Sequence, residues 1–278
     1  MVATDRVTPP EPQPGFVALD LLSDDGLADL FAGATAIVHL AALPGRGPVP
    51  ALTTFAQNLQ TMACVLAASN SCRVAKFVYA SSIQVVSSEP GTEKEPARVA
   101  YLPLDGESPP NPTNAYGLSK LGGEILLRTL FRNAGHEAVA LRFPWLVRAQ
   151  PDRAWGRRLA PLDQREPRVV VEQGLSCLSL NDAARLIHAV LRAHLPGFRT
   201  YLPAVSVVTR DHISRYIEQY YRGVPLRVPL GEMTNLVDLG RIKEETGWVP
   251  LDLPIHAPPR TAGSGSFARL VRRLIGDK

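Results

Sequence analysis

Tyr116 and Lys120 stand four residues apart in Asn114-Ala-Tyr-Gly-Leu-Ser-Lys, where an amphipathic pattern begins, and the hydroxyl pair Ser81-Ser82 closes an apolar run upstream. A spacing of four puts two side chains on one face of a helix, so the ammonium can sit close to the phenol. A free tyrosine titrates near pH ~10 and is a poor base at neutrality, but an adjacent positive charge favours phenolate. A serine hydroxyl at a strand end can then hold the substrate oxygen whose proton is exchanged. These residue types describe a phenol acid/base acting on an alcohol or a carbonyl. With seven tyrosines in the chain, one Tyr-x-x-x-Lys can also arise by chance. Its weight comes from position: a strand-like run leads into the serines, and the tyrosine opens the next helix.

The elements that must position these groups alternate in type. Thr35–Ala42 reads as a strand, Thr53–Ser69 as a helix, Val74–Ser81 as a strand, Asn114–Arg132 as a helix and Glu137–Val147 as a strand. Such alternation is the pattern of βαβ units around a parallel sheet. Prolines and acids between Ser87 and Pro112 read as a long loop. Helix Asp182–His194 opens at an aspartate cap, and Asp211–Tyr221 and Asp238–Thr246 complete a C-terminal substrate lobe. His39 lies in an apolar strand and is expected to pack inside, whereas Lys76, at a strand start, is expected to face solvent.

Several segments in combination carry a family resemblance: ALDLLSDDGLADLFAGATAIVHLAA, NLQTMACVLAAS, KFVYASS, DGESPPNPTNAYGLSKLGGEIL, ALRFPWLV, LNDAARLIHAVL and DLGRIKEETGWVP. From residue 1 to about residue 250 the chain resembles the extended short-chain dehydrogenase/reductases of the NAD-dependent epimerase/dehydratase type. The resemblance implies a doubly wound α/β fold: a Rossmann-like parallel sheet with a smaller C-terminal substrate lobe. It divides the chain into a dinucleotide-binding domain over 1–147 with parts of 175–205, a substrate lobe over 148–174 and 206–260, and a tail helix over 261–278. By resemblance Tyr116 is the acid/base, Lys120 lowers its pKa and holds the nicotinamide ribose, and Ser82 partners the substrate hydroxyl. Asn58 matches an asparagine near the active site, and Asp20 matches the aspartate that caps the adenine. Asp5 would hold the adenosine ribose hydroxyls, favouring NAD, while Arg6 leaves room for NADP. Leu21, Leu40, Ala41, Ala42 and Phe143 complete the cofactor wall, and Gln84, Trp145 and Arg153 join Ser82 as substrate contacts.

The front of the chain departs from that pattern. A dinucleotide site of this kind uses a first strand, a glycine-rich turn and a helix N-terminus to receive the pyrophosphate. Here Met1-Val-Ala-Thr-Asp-Arg looks like the end of the family's second strand, and the earliest glycine is Gly15, in a proline-rich stretch. The first strand and helix are therefore expected to be missing, with a gene product longer by about 25–35 upstream residues, the size of one strand-turn-helix unit. If the chain acts as it stands, a catalytically silent relative serving as a ligand- or partner-binding module becomes the competing reading.

Substrate signals differ too. Family members acting on nucleotide sugars often have tyrosine and glycine where Val86 and Ser87 stand, and an asparagine where this chain has Trp145. A nucleotide sugar stays open as substrate, as does plain carbonyl reduction. Trp145 offers either an aromatic wall or ordinary core packing.

Composition fits a soluble enzyme. With 278 residues and 45% hydrophobic content, the chain can bury a large core. No apolar run approaches the ~20 residues of a membrane span and no signal-peptide pattern opens the chain, which points to the cytoplasm. Cys64, Cys72 and Cys177 have no metal-ligand or CxxC spacing, so buried thiols are expected and no metal. A net charge of +4 against 26 acidic residues argues against nucleic acid as partner. Arg148, Arg153, Arg157, Arg158, Arg165 and Arg168 cluster in one loop-like stretch that suits a substrate anion or simply solvent. Phe267, Leu270, Val271 and Leu274 with interspersed arginines make a short basic amphipathic tail, better suited to docking on protein than on membrane. A homodimer stays open, since helix pairing is common in proteins this one resembles.

Overall fold

The computed structural model describes residues 1–23, 26–45, 47–86, 98–131, 135–147, 176–206 and 210–251. The arginine cluster with Arg153, the whole of the proposed 148–174 segment and the 261–278 tail lie outside those residues. Four strands, β3 (Ala36–His39), β4 (Lys76–Ser82), β5 (Glu137–Phe143) and β8 (Gly197–Tyr201), form one parallel sheet in the order β3-β4-β5-β8. Parallel neighbours need crossovers, and helices supply them: α2 (Ala51–Ser71) between β3 and β4, and α3 (Ala115–Leu130) between β4 and β5. β4 and β5 are buried almost throughout, as continuous apolar runs covered on both faces should be. One cluster, with Leu66, Phe77 and Leu127, packs beneath α2 and α3; another, with Val139, Leu141 and Leu186, covers the opposite face.

The sheet is not continuous. β1 (Ala3–Asp5) and β2 (Phe16–Ala18) form a separate parallel pair, and neither pairs with β3. Among the described residues the outer edge of β3 accordingly lacks a ladder, and Ile37 and Val38 remain only half-buried while the β4 side chains beside them are sealed. Side chains connect the two pieces: Gln60 Nε2 on α2 donates to Leu22 O (3.1 Å), and Leu27 and Phe31 of α1 (Leu27–Phe31) join the cluster beneath α2.

The run expected as one strand over Glu137–Val147 is two. Pro144 has no N–H to give a ladder, and beyond it β6 (Trp145–Val147) leaves for a second sheet with β7 (Ser176–Ser179) and β9 (Val205–Ser206). The helix expected from an Asp182 cap starts earlier, as α4 (Leu180–Arg192), because Ser179 is its cap and Oγ accepts Asp182 N–H at 2.9 Å. Asp182 is fully buried instead, and its carboxylate accepts the N–H of Leu251. Helix α5 (Arg210–Tyr220) packs with Leu102, Leu104 and Leu236 into a third cluster that also takes in Ile83 and Val85 beside the end of β4, whereas Ile242 of α6 (Gly240–Thr246) joins the cluster of Val139 and Leu186.

Lys76 does not face solvent. It is buried, with Nζ donating to the carbonyls of Val190 (3.0 Å), Leu191 (3.2 Å) and Ala193 (2.5 Å) and pairing with Glu137 at 2.7 Å. The last carbonyls of α4 have no partner inside the helix, and a cation there satisfies both their hydrogen bonding and their dipole. Burial pushes the Glu137 carboxyl up, but hydrogen bonds from Lys76, Leu195 N–H and His194, with the Lys76 charge, outweigh it and leave the pKa lowered. His39 is buried as expected and stacks on Tyr79 at 5.8 Å. Cys177 is buried with its thiol pushed up to about 12, whereas Cys64 and Cys72 are only half-buried. No helix among the described residues is long and apolar enough to cross a membrane.

Candidate active site

Helix α3 sits unusually close to its surroundings because three of its glycines leave room. A Cβ on Gly117 would lie 2.5 Å from Gln84 O, one on Gly122 would meet Leu59 at 2.6 Å, and one on Gly123 would overlap the Tyr79 hydroxyl. The helix begins at Asn114, whose Oδ1 accepts Gly117 N–H at 2.8 Å. This seating carries Tyr116 and Lys120 to the C-terminal end of β4, where Ser82 caps a 3₁₀ turn by accepting Gln84 N–H. Ligand sites in open parallel sheets gather at that end of the strands.

Ser82, Tyr116 and Lys120 are thus brought together, but not with the expected electrostatics. Lys120 Nζ lies over the face of the Tyr116 ring, 5.5 Å from its centroid, and over Tyr79 at 5.0 Å. Its hydrogen bond goes to Ala80 O at 2.7 Å. Burial raises the Tyr116 phenol above its ordinary pKa, and a hydrogen bond with Ser82 offsets only part of that rise. Burial also lowers the Lys120 ammonium to about 8. The cation therefore does not lower the phenol in this arrangement; desolvation dominates. His39 is held neutral, pushed down to about 3 by burial and then by the Lys120 charge.

The adjacent serines face different partners. Ser81 Oγ donates to Glu124 Oε1 at 2.6 Å, and Glu124 receives Arg142 twice, Nε at 3.0 Å and Nη2 at 2.9 Å. Arg142 Nη1 then donates to the carbonyls of Gly106 and Ser108. All three side chains are buried. A fork-to-fork pair of this kind joins the helix bearing Tyr116 to β5 and to the loop at 105–108. Sequence reading missed Glu124 and Arg142 as a pair; the one available signal was two charged residues inside otherwise apolar patterns.

Asn58 has a definite task. Its Oδ1 accepts Leu43 N–H at 2.7 Å, and its Nδ2 donates to Leu43 O and to Ser119 Oγ. The proposed cofactor residues line strand ends: Asp5 closes β1, Asp20 and Leu21 follow β2, and Phe143 closes β5. Leu40, Ala41 and Ala42 are exposed just beyond buried His39. Gly15 takes no part in such a site: with φ +75° it turns the chain between β1 and β2, its carbonyl accepting Ala3 N–H. Gln84 and Trp145 are half-buried near the ends of β4 and β5.

A model of the NAD dependent epimerase/dehydratase family matches residues 2–201. The chain belongs to that family. Among curated relatives it is 29% identical over 202 residues to an uncharacterized UDP-glucose epimerase, YtcB, of Bacillus subtilis (strain 168), covering 68% of this chain and 58% of that protein. It is 30% identical over 137 residues to an L-arabinose 1-dehydrogenase (NAD(P)(+)) of Haloferax volcanii, covering 48% of this chain and 53% of that protein. The chain spans little more than half the length of these relatives. Its fold is shared with a point mutant of uronate dehydrogenase from Agrobacterium tumefaciens complexed with NAD, at TM-score 0.59, 20% identity and coverage of 99% and 80%. MoeE5 in complex with UDP-glucuronic acid and NAD superposes at TM-score 0.57, with 22% identity and coverage of 90% and 85%. NAD is the family's cofactor, and carboxylates stand at Asp5, at the end of β1, and at Asp20, just after β2.

Proposed function

We propose that this chain is an NAD-dependent oxidoreductase that removes hydride from a secondary alcohol carbon of a sugar, most readily a nucleotide sugar. NAD supplies the hydride acceptor at nicotinamide C4. Ser82 hydrogen-bonds the substrate oxygen, Tyr116 exchanges its proton, and Lys120 meets the nicotinamide ribose while keeping a positive charge over the phenol ring. The observation carrying this reading is that Lys120 Nζ stands over the Tyr116 ring, 5.5 Å from its centroid, at the C-terminal end of β4, where Ser82 caps the turn against which α3 is seated. With its pKa raised, Tyr116 is a proton donor at neutral pH, suited to reduction of a carbonyl; oxidation of the alcohol requires phenolate and therefore runs faster as pH rises.

The test pairs calorimetric titration of NAD with turnover assays on UDP-glucose and UDP-glucuronic acid. Accumulating reduced cofactor indicates a dehydrogenase, and conversion of sugar without it indicates an epimerase or dehydratase. NAD binding with no turnover of either kind favours the other reading, a silent module, which the Lys120 amine supports by lying over the ring and giving its hydrogen bond to Ala80 O. A homodimer through α2 and α3 fits the exposure of Leu52, Leu118 and Ile125 on those helices; sedimentation of a monomer would remove it.

A further inference from the structure

Gly45 lies against the side chain of Tyr116. A Cβ built on it would stand 2.7 Å from Tyr116 Cβ, 2.9 Å from Cγ and 3.3 Å from Cδ1. Its φ is not in the left-handed region, so alanine there would bring no backbone strain, only that contact. The segment cannot easily retreat. Leu43 is held at both N–H and carbonyl by Asn58, and Pro44 fixes φ between them. Asn58 also reaches Ser119 Oγ, which in turn donates to the carbonyl of Tyr116 at 2.8 Å. One circuit, Leu43 to Asn58 to Ser119 to Tyr116, is therefore closed by Gly45, two residues after Leu43, resting on that tyrosine.

We infer that Gly45 is a positioning residue: the bare backbone of the segment after β3 seats the Tyr116 ring toward Ser82, and Asn58 sets the height of that seat. This deepens the proposed role of Tyr116 and rests on it. A side chain at 45 pushes on Cβ and Cγ of Tyr116; Cβ moves only with the first turn of α3, so relief of the contact displaces the residue and carries the phenol with it. Gly47, two residues on, has nothing within 4 Å of the Cβ position and serves as control.

The experiment uses the full chain labelled with 13C-tyrosine. The Tyr116 resonance is assigned by its loss in Tyr116→Phe, then followed against pH in Gly45→Ala and Gly47→Ala. We expect the resonance and its titration midpoint to move in Gly45→Ala, with a lowered thermal midpoint, and all three to stay in Gly47→Ala. Turnover of UDP-glucose should fall about ten- to a hundred-fold in Gly45→Ala, the scale of an ångström-sized misplacement, without weaker NAD binding. A Tyr116 resonance identical in the two glycine variants overturns the inference. Preserved turnover in Tyr116→Phe overturns the proposed function instead, leaving the resonance measurement to judge Gly45 independently.

Discussion

The Lys120 amine rests above the ring of Tyr116, 5.5 Å from its centroid, while donating its hydrogen bond to Ala80. Both ionised forms thus lose water, and desolvation sets the behaviour of each.

The first consequence concerns pH. Burial raises the Tyr116 phenol, so at neutrality it carries its proton. The oxidising direction should accelerate with rising pH through the alkaline range, and the carbonyl-reducing direction should slow over the same range. Tyr116→Phe should abolish both while leaving urea unfolding within about 1 kcal/mol of the parent, since one half-buried hydroxyl contributes about that much. Initial rates across pH in both directions check the sign.

Lys120 should cost stability where it is protonated. Its pKa falls from 10.5 to about 8 on folding, which corresponds to about 3 kcal/mol. Between those two pH values the unfolded chain holds a proton that the folded chain has released, so stability rises with pH through that window; below it the cost is present in full. Lys120→Met should therefore be more stable than the parent near neutrality, by an advantage that shrinks as pH climbs from 8 to 10.5. It should also lose turnover. Urea denaturation at both ends of the window decides.

Removing one member of the buried Glu124 and Arg142 pair leaves an unpaired charge inside. Glu124→Ala or Arg142→Ala should each destabilise by about 3–5 kcal/mol, and the double substitution should cost less than their sum. Chemical denaturation of the three variants measures the coupling.

Gly123→Ala should lower stability by about 1–3 kcal/mol, because the new methyl overlaps the Tyr79 hydroxyl and α3 must lift away. Gly135→Ala meets no atom within 4 Å, but its φ of +86° makes it a strain comparison, not a packing one.

What sequence revealed depended on range. α2, α3, β4 and the Asn114 cap rest on local periodicity and capping chemistry, and each was legible to within a few residues. The burial of Lys76 is not legible locally, because its partners are Glu137 on the next strand and three carbonyls more than a hundred residues away at the end of α4; a lysine opening a strand has no local mark of burial. Pro144 was visible, yet continuing the strand past it ignored the lost N–H. Asp182 looked like a cap because it resembles one in isolation, whereas Ser179, three residues earlier, had the better geometry. The pairing of Ser81 with Glu124 and of Ser82 with Tyr116 depends on which face each serine presents, a question that only the seating of α3 resolves.

Because β1–β2 and β3-β4-β5-β8 share no ladder, a dinucleotide reaching from Asp5 and Asp20 to Lys120 would touch two independently hydrogen-bonded slabs. Part of its interaction energy would then be absorbed in holding those slabs in fixed register, so dissociation constants would understate the quality of the contacts. Amide exchange in β1 and β2 should slow far more upon saturation than in β4 and β5, which are already locked.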